Sequence, residues 1–126
     1  MNELAKTISV KIRGNNYEVN FPNCGQLIDI ENYKASLSKG QYRNLVNNMT
    51  TNSLMALDLI DCVAVFSVLI PKFLEDLKVA SIFQLDLISM KEICDIFKKE
   101  YLPWYSQWMD VISGKEDDKK EDDKEA

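Results

Sequence analysis

The chain has 126 residues, of which 46% are apolar and 28% charged, and its formal net charge is −5. This length and composition predict one globular domain with a core of its own. The sequence contains no histidine, which excludes Ser-His-Asp and Cys-His catalysis, histidine-ligated metals and histidine proton shuttles.

Charged residues are concentrated at the carboxyl end. Residues 114–126 hold four lysines and seven acidic residues, and Ala126 is their one apolar side chain. Such a segment buries too little apolar area to offset the entropy lost on ordering, so we expect a disordered tail after a single domain at 1–113. The other charges are nearly balanced and form no dense basic stripe, which disfavours nucleic acid as a partner.

The three cysteines, Cys24, Cys62 and Cys94, are too far apart for a close-paired metal motif. An odd cysteine count and the absence of an apolar leader predict a cytoplasmic protein, and we expect no cofactor. The most apolar stretch, 54–70, contains two aspartates and is closed by Pro71. It therefore predicts a buried helix rather than a membrane span.

Apolar and polar residues alternate on both sides of Gly14-Asn15-Asn16. This period of two predicts a β-hairpin over 7–21, with its turn at those three residues. A lone hairpin is marginally stable in water, so it must pack on helices or pair with another chain. The apolar face is predicted to consist of Ile8, Val10, Ile12, Tyr17, Val19 and Phe21.

Helical periodicity dominates residues 26–112. Helices are predicted at 26–37, 41–49 and 71–78, and between a cap at 52 or 53 and residue 70. A capping box at Ser89 and Glu92 predicts the start of a longer helix, with a kink or a restart at Pro103. Residues 79–88 are compatible with a strand, a turn or a helix. The predicted class is α+β, with the hairpin packed on a bundle of about four to five helices.

Four aromatic residues, Tyr101, Trp104, Tyr105 and Trp108, follow one another at helical spacing. Large aromatic rings bury much area in cores, and they are also enriched in binding hot spots. The stripe therefore either closes the core of the domain or forms a partner-binding face. Both interpretations hold together if Tyr101 points inward and Trp108 points outward.

Asp58 and Asp61 lie three positions apart within the apolar helix. Two carboxylates can hold a divalent ion or act as an acid–base pair, so they form a candidate polar site. Alternatively, each lies at an exposed seam or pairs with Lys39 or Arg43. The sequence shows no third ligand nearby, no phosphate-binding glycine loop and no nucleophile elbow, so we predict no metal site and no enzyme activity.

Three stretches of the chain resemble small assembly proteins of tailed phages: FPNCGQLIDIENYKASLSKGQYRNLV at 21–46, ALDLIDCVAVFSVLIPKFLEDL at 56–77 and PWYSQW at 103–108. In the order of its parts the chain is similar to tail assembly chaperones and related small structural proteins. The resemblance implies a role in protein–protein assembly in the cytoplasm of an infected bacterium, or a place in the virion. A tail assembly chaperone binds the helical tape-measure protein and keeps it soluble.

We therefore predict a non-catalytic protein–protein interaction protein that binds its partner through the four aromatic residues, with the hairpin edge as a second docking site. The partner is another protein, such as a tape-measure or other virion protein, or a second copy of the chain. No membrane is expected. The alternative is a small metal-assisted enzyme or a host-enzyme regulator that uses Asp58 and Asp61, with Arg43 as their partner.

Overall fold

The amino-terminal part forms the predicted β-hairpin. In the computed structural model, which describes residues 4–114, β1 spans Thr7–Ile12 and β2 spans Asn15–Asn20. The strands pair antiparallel, with Ile8 opposite Val19, so one face of the hairpin is apolar. Of the tail that the sequence predicts to be disordered at 114–126, residues 115–126 lie outside the described part of the chain.

The hairpin turn lies earlier than predicted. Arg13 and Gly14 connect the strands, whereas Asn15 and Asn16 already belong to β2. Both turn residues have positive φ, 52° at Arg13 and 84° at Gly14. Positive φ at both central positions is typical of a type I′ turn, whose twist matches that of the paired strands. Asparagine also tolerates positive φ, so the sequence did not distinguish the two turn positions.

Six α-helices follow the hairpin in the described residues, one of them a single turn, and the predicted α+β class is confirmed. A short 3₁₀ helix, Ile82–Gln84, occupies the segment that the sequence left open. The helices are α1 (Cys24–Leu37), α2 (Tyr42–Asn47), α3 (Thr51–Leu69), α4 (Phe73–Asp76), α5 (Leu87–Ile96) and α6 (Leu102–Ser113).

Side-chain caps determine where three of the helices begin. The cap of α3 is Thr50 and not residue 52 or 53 as predicted, because the Thr50 hydroxyl accepts the Ser53 backbone N–H at 3.1 Å. Asn23 and Gln26 form a capping box that starts α1 two residues before the predicted position. The predicted capping box at Ser89 is wrong, because the carboxylate of Asp86 accepts bonds from the Ser89 backbone N–H at 2.8 Å and hydroxyl at 2.9 Å. An aspartate at this position satisfies a free amide and places negative charge at the helix N-terminus. Consequently α5 begins at Leu87.

The core is built around the second half of α3, where every side chain from Cys62 to Phe66 is buried. Helices α1, α2, α4 and α5 all pack against α3, as predicted for a central helix. Among the described residues, α3 is also the one helix long and apolar enough to cross a membrane, and 39% of the stretch is buried in the protein. Its first half is partly uncovered, with Leu54 and Met55 exposed.

The carboxyl-terminal helical run is interrupted just before Pro103, where the sequence predicts a kink or a restart, but proline does not make the interruption. A π-helical turn over Phe97–Tyr101 connects α5 to α6. The Leu102 N–H bonds to the Phe97 carbonyl, five residues back instead of four. Pro103 then lies in the first turn of α6, where proline is tolerated. Gly114, with φ of 74°, ends α6.

We expect Gly14→Ala to destabilise the protein by about 1–2 kcal/mol, because a left-handed conformation brings a Cβ too close to the next carbonyl. Gly25→Ala is the matched control. Gly25 lies within α1, and a Cβ there meets nothing closer than the Asn23 side chain at 3.5 Å. Because alanine stabilises a helix more than glycine does, Gly25→Ala should be neutral or stabilising by up to about 1 kcal/mol. Urea denaturation followed by circular dichroism measures both, and equal losses would contradict the turn assignment.

Candidate functional site

The aromatic stripe that the sequence singled out packs largely against the hairpin. Tyr101 is 1% exposed and Trp104 is buried, whereas Tyr105 and Trp108 are half-buried. The ring of Phe21, just after β2, lies among the outer three. Its centroid is 5.7 Å from that of Trp104, 5.5 Å from Tyr105 and 5.6 Å from Trp108. Each such aromatic pair contributes about 0.5–1.5 kcal/mol beyond its buried area, so the stripe fastens α6 to the hairpin.

Both tryptophans also hydrogen-bond to the same backbone oxygen. The indole Nε1 of Trp104 lies 2.6 Å from the carbonyl oxygen of Ala5, and that of Trp108 lies 2.8 Å from it. A carbonyl oxygen has two lone pairs and can accept both bonds. Because Ala5 lies just before β1, the two indoles fix the point at which the chain enters the hairpin.

Tyr101 is a core residue of this stripe. Its ring stacks on Phe97 at a centroid distance of 5.1 Å and on Tyr105 at 5.5 Å. Its hydroxyl is buried without a hydrogen-bond partner in the described residues, and this desolvation raises the pKa of Tyr101. Tyr101 and Trp104 thus serve the interior of the monomer. The partner-binding role stays a prediction, and the accessible residues for it are Tyr105 and Trp108.

Asp58 forms an ion pair that links α3 to the carboxyl-terminal helical run. Its carboxylate lies 2.5 Å from the Nζ of Lys98, in the π-helical turn. This hydrogen bond raises the pKa of Lys98. Both side chains are more than one-third exposed, so solvent screens the pair and limits its contribution to about 0–1 kcal/mol.

Asp61 has partners on α1 and α2. The Tyr42 hydroxyl donates to Asp61 Oδ1 at 2.7 Å, and the Nζ of Lys34 lies 3.7 Å from the same oxygen. Burial raises the pKa of Tyr42, and the hydrogen bond to Asp61 raises it further. The expected pairing with Arg43 or Lys39 is wrong, because it is Tyr42 that α2 turns towards α3, while Arg43 and Lys39 are exposed.

The two aspartates therefore act as separate ion-pairing groups. Asp58 faces Lys98, and Asp61 faces Tyr42 and Lys34. Within residues 4–114, no group of three His, Cys, Asp or Glu side chains is placed to hold a metal ion. A cation bound here would have to displace a lysine from at least one carboxylate.

A groove that the sequence did not indicate runs between the first half of α3 and the start of α5, with a volume of about 450 Å³. We call it the α3–α5 groove. Its charged residues are already paired within the groove, Lys98 with Asp58 and Lys91 with Asp95, the latter at 3.4 Å. Its apolar lining consists of Leu54, Met55, Leu59, Leu87 and Ile88.

A second groove of about 310 Å³ adjoins the first and shares Leu59 and Leu87 with it. It leads to Phe83, in the 3₁₀ helix, whose side chain is 71% exposed. Residues 79–88 are compatible in sequence with a strand, a turn or a helix, so their pattern did not predict this surface. Because Asp86 caps α5, Leu87 and Ile88 lie in its first turn, where they are 60% and 80% exposed.

Comparison with known proteins identified no matching protein family, no similar characterised protein and no similar solved structure. The resemblance to small phage assembly proteins thus stays a prediction. The function of the grooves and of the two aspartates has to be inferred from their own geometry.

A double-mutant cycle tests the shared carbonyl of Ala5. Trp104→Phe or Trp108→Phe alone leaves this oxygen with one indole donor, whereas the double variant leaves it with none. We expect the double variant to lose about 0.5–1.5 kcal/mol more than the two single losses combined. Urea denaturation followed by circular dichroism gives the four stabilities. Strictly additive losses would mean that the two indoles act independently.

A melting experiment tests the two aspartates as a cation site. Because both carboxylates are occupied by protein partners, we expect Mg²⁺, Mn²⁺ and Ca²⁺ to leave the melting temperature unchanged. Native-state binding at 100-fold excess over the dissociation constant would add about 2.7 kcal/mol of stability and would be easily detected. A rise in melting temperature that Asp58→Asn removes, and that Asp110→Asn on α6 preserves, would restore the metal-assisted alternative.

Proposed function

We propose that the protein is a non-catalytic interaction protein that binds an amphipathic helix of another protein in the α3–α5 groove. The observation that carries the proposal is the clustering of exposed large apolar side chains at the adjoining grooves. Phe83, Leu87 and Ile88 are 71%, 60% and 80% exposed within six consecutive residues. Single exposed apolar residues are ordinary, but a contiguous set along a groove is typical of an interaction surface.

The apolar area available is large enough to drive binding. Full burial of one Leu, Ile, Met or Phe side chain contributes about 1.5–3 kcal/mol. Leu54, Met55 and Leu87 line the groove together with Ile88, and all four are at least 44% exposed. Covering them therefore supplies several kcal/mol, from which the entropy lost on association has to be subtracted.

The charges of the groove favour a helix that carries both signs beside its apolar stripe. The groove has two lysines and two aspartates, and each lysine pairs with an aspartate. This neutral rim offers neither the positive charge that a phosphate backbone requires nor free carboxylates for a cation. An apolar stripe at helical spacing fits between α3 and α5, as in other helix-in-groove interfaces. Lysines and acids flanking that stripe would face Asp95 and Lys91.

The resemblance to tail assembly chaperones supplies the biological class of the partner. We propose that the protein acts in the bacterial cytoplasm during assembly of a tailed phage, or as a minor virion component, on a long helical protein such as the tape measure. A tail assembly chaperone keeps such a protein soluble, and an apolar groove would cover part of its apolar helical surface. Tyr105 and Trp108, half-buried on α6 and outside the groove, are a second contact in this proposal.

Co-expression with the tape-measure protein encoded in the same genome tests the proposal. The wild-type chain should raise the soluble amount of that protein, and Ile88→Lys should remove most of the effect by placing a charge in the groove. Ile28→Lys on α1 is the matched control, since Ile28 is 60% exposed and lies outside the groove. We expect the control to behave as wild type and all three proteins to melt alike.

Each other outcome of this experiment is informative. If the wild-type chain does not raise the soluble amount, the proposed partner is wrong. If Ile88→Lys retains the full effect, the groove is not the binding surface. Sedimentation of the isolated chain adds a further outcome, because a dimer that Ile88→Lys dissociates would identify a second copy as the occupant.

A further inference from the structure

Two of the three cysteines meet across the packing interface between α3 and α5. Cys62 lies on α3 and is fully buried, and Cys94 lies on α5 and is 7% exposed. The Cys94 sulfur lies 3.9 Å from the carbonyl oxygen of Asp58, which is one helical turn before Cys62 on α3. Cys94 therefore packs against the turn of α3 that carries Cys62, and the two thiols are close enough to shift each other's pKa, although 32 positions separate them in the chain.

Cys94 is also the member of the pair that a solute can reach. It lines the α3–α5 groove beside Asp58 and Lys98. Cys62 does not line that groove and is fully buried. A small oxidant that enters the groove would thus reach Cys94 before Cys62.

The pKa values of the two thiols also shift in opposite directions, and the more accessible thiol has the lowered pKa. Interaction with the Cys62 thiol lowers the pKa of Cys94, and the nearby Lys98 ammonium acts in the same direction. Burial raises the pKa of Cys62 far above its usual range. The thiolate is the reactive form of cysteine, so the accessible sulfur is also the more nucleophilic one at neutral pH.

We propose that Cys94 and Cys62 are a peroxide-reactive dithiol that closes into an intramolecular disulfide between α3 and α5. The Cys94 thiolate attacks one oxygen of hydrogen peroxide, the O–O bond breaks, and the departing hydroxide takes a proton to become water. Cys94 is then a sulfenic acid. The Cys62 sulfur attacks the Cys94 sulfur, and the hydroxyl leaves as a second water with the proton from Cys62. Two thiols are oxidised by two electrons in total, and one peroxide is reduced.

The test uses the full chain with Cys24→Ser, because Cys24 is exposed on α1 and would otherwise contribute its own reactions. The protein is treated with hydrogen peroxide in native buffer, then denatured, alkylated with iodoacetamide and weighed intact. We expect the treated protein to remain a monomer, to be lighter by two hydrogen atoms and to gain no alkyl group. The untreated protein should gain two alkyl groups, one at each thiol. Proteolysis should recover the Cys62 and Cys94 peptides as one cross-linked species that a reductant separates.

Two further variants test the order of the steps. In Cys24→Ser/Cys62→Ala, Cys94 should stop at the sulfenic acid and be trapped by dimedone. In Cys24→Ser/Cys94→Ala, the same peroxide dose should leave Cys62 reduced. Two free thiols in the treated Cys24→Ser protein, or a disulfide between two chains, would overturn the proposal. This measurement is made on a protein whose core residues are unchanged. Neither outcome depends on what binds in the groove.

Discussion

The ring of Phe66 is the point at which the helical elements come together. It is fully buried on α3, and it meets Phe73 at 5.7 Å, Phe97 at 5.4 Å and Tyr101 at 6.2 Å, each in an edge-on arrangement. These contacts join α3 to α4 and to the π-helical turn. From Tyr101 the ring contacts continue through the aromatic stripe to Phe21, at the end of the hairpin. A two-stranded hairpin is marginal by itself, and this chain of rings gives it a surface to pack on.

Period and spacing predicted the hairpin and the main helices but not the 3₁₀ helix or the π-helical turn, and competition between capping side chains decided where helices begin. Alternation gave the hairpin and its apolar face, and the apolar run from 54 to 70 gave the central helix. The start of α5 was missed because Ser89 and Asp86 can both cap a helix, and the aspartate is the stronger acceptor at that site. The turn at Arg13 was missed because arginine rarely adopts positive φ, and only the pairing of the strands imposes it there.

The site was less predictable than the fold because its contacts join distant parts of the chain. The stripe at 101–108 was visible as a pattern, yet no local signal shows that its two indoles bind the carbonyl of Ala5, about a hundred positions away. The partners of Asp58 and Asp61 likewise come from packing, since Lys98 and Tyr42 lie on other helices. The exposed side chains at 83–88 became recognisable only once α5 and the 3₁₀ helix were placed.

The π-helical turn also makes the attachment of the hairpin sensitive to chain length. An α-helix advances by about 100° per residue, and a π turn holds about one residue more than an α turn. Deleting one residue between Phe97 and Tyr101 would restore a regular helix and rotate the following segment by roughly that angle. Trp104 and Trp108 would then turn away from Ala5, although neither tryptophan had been altered. In this helix, the number of residues matters as much as their identity.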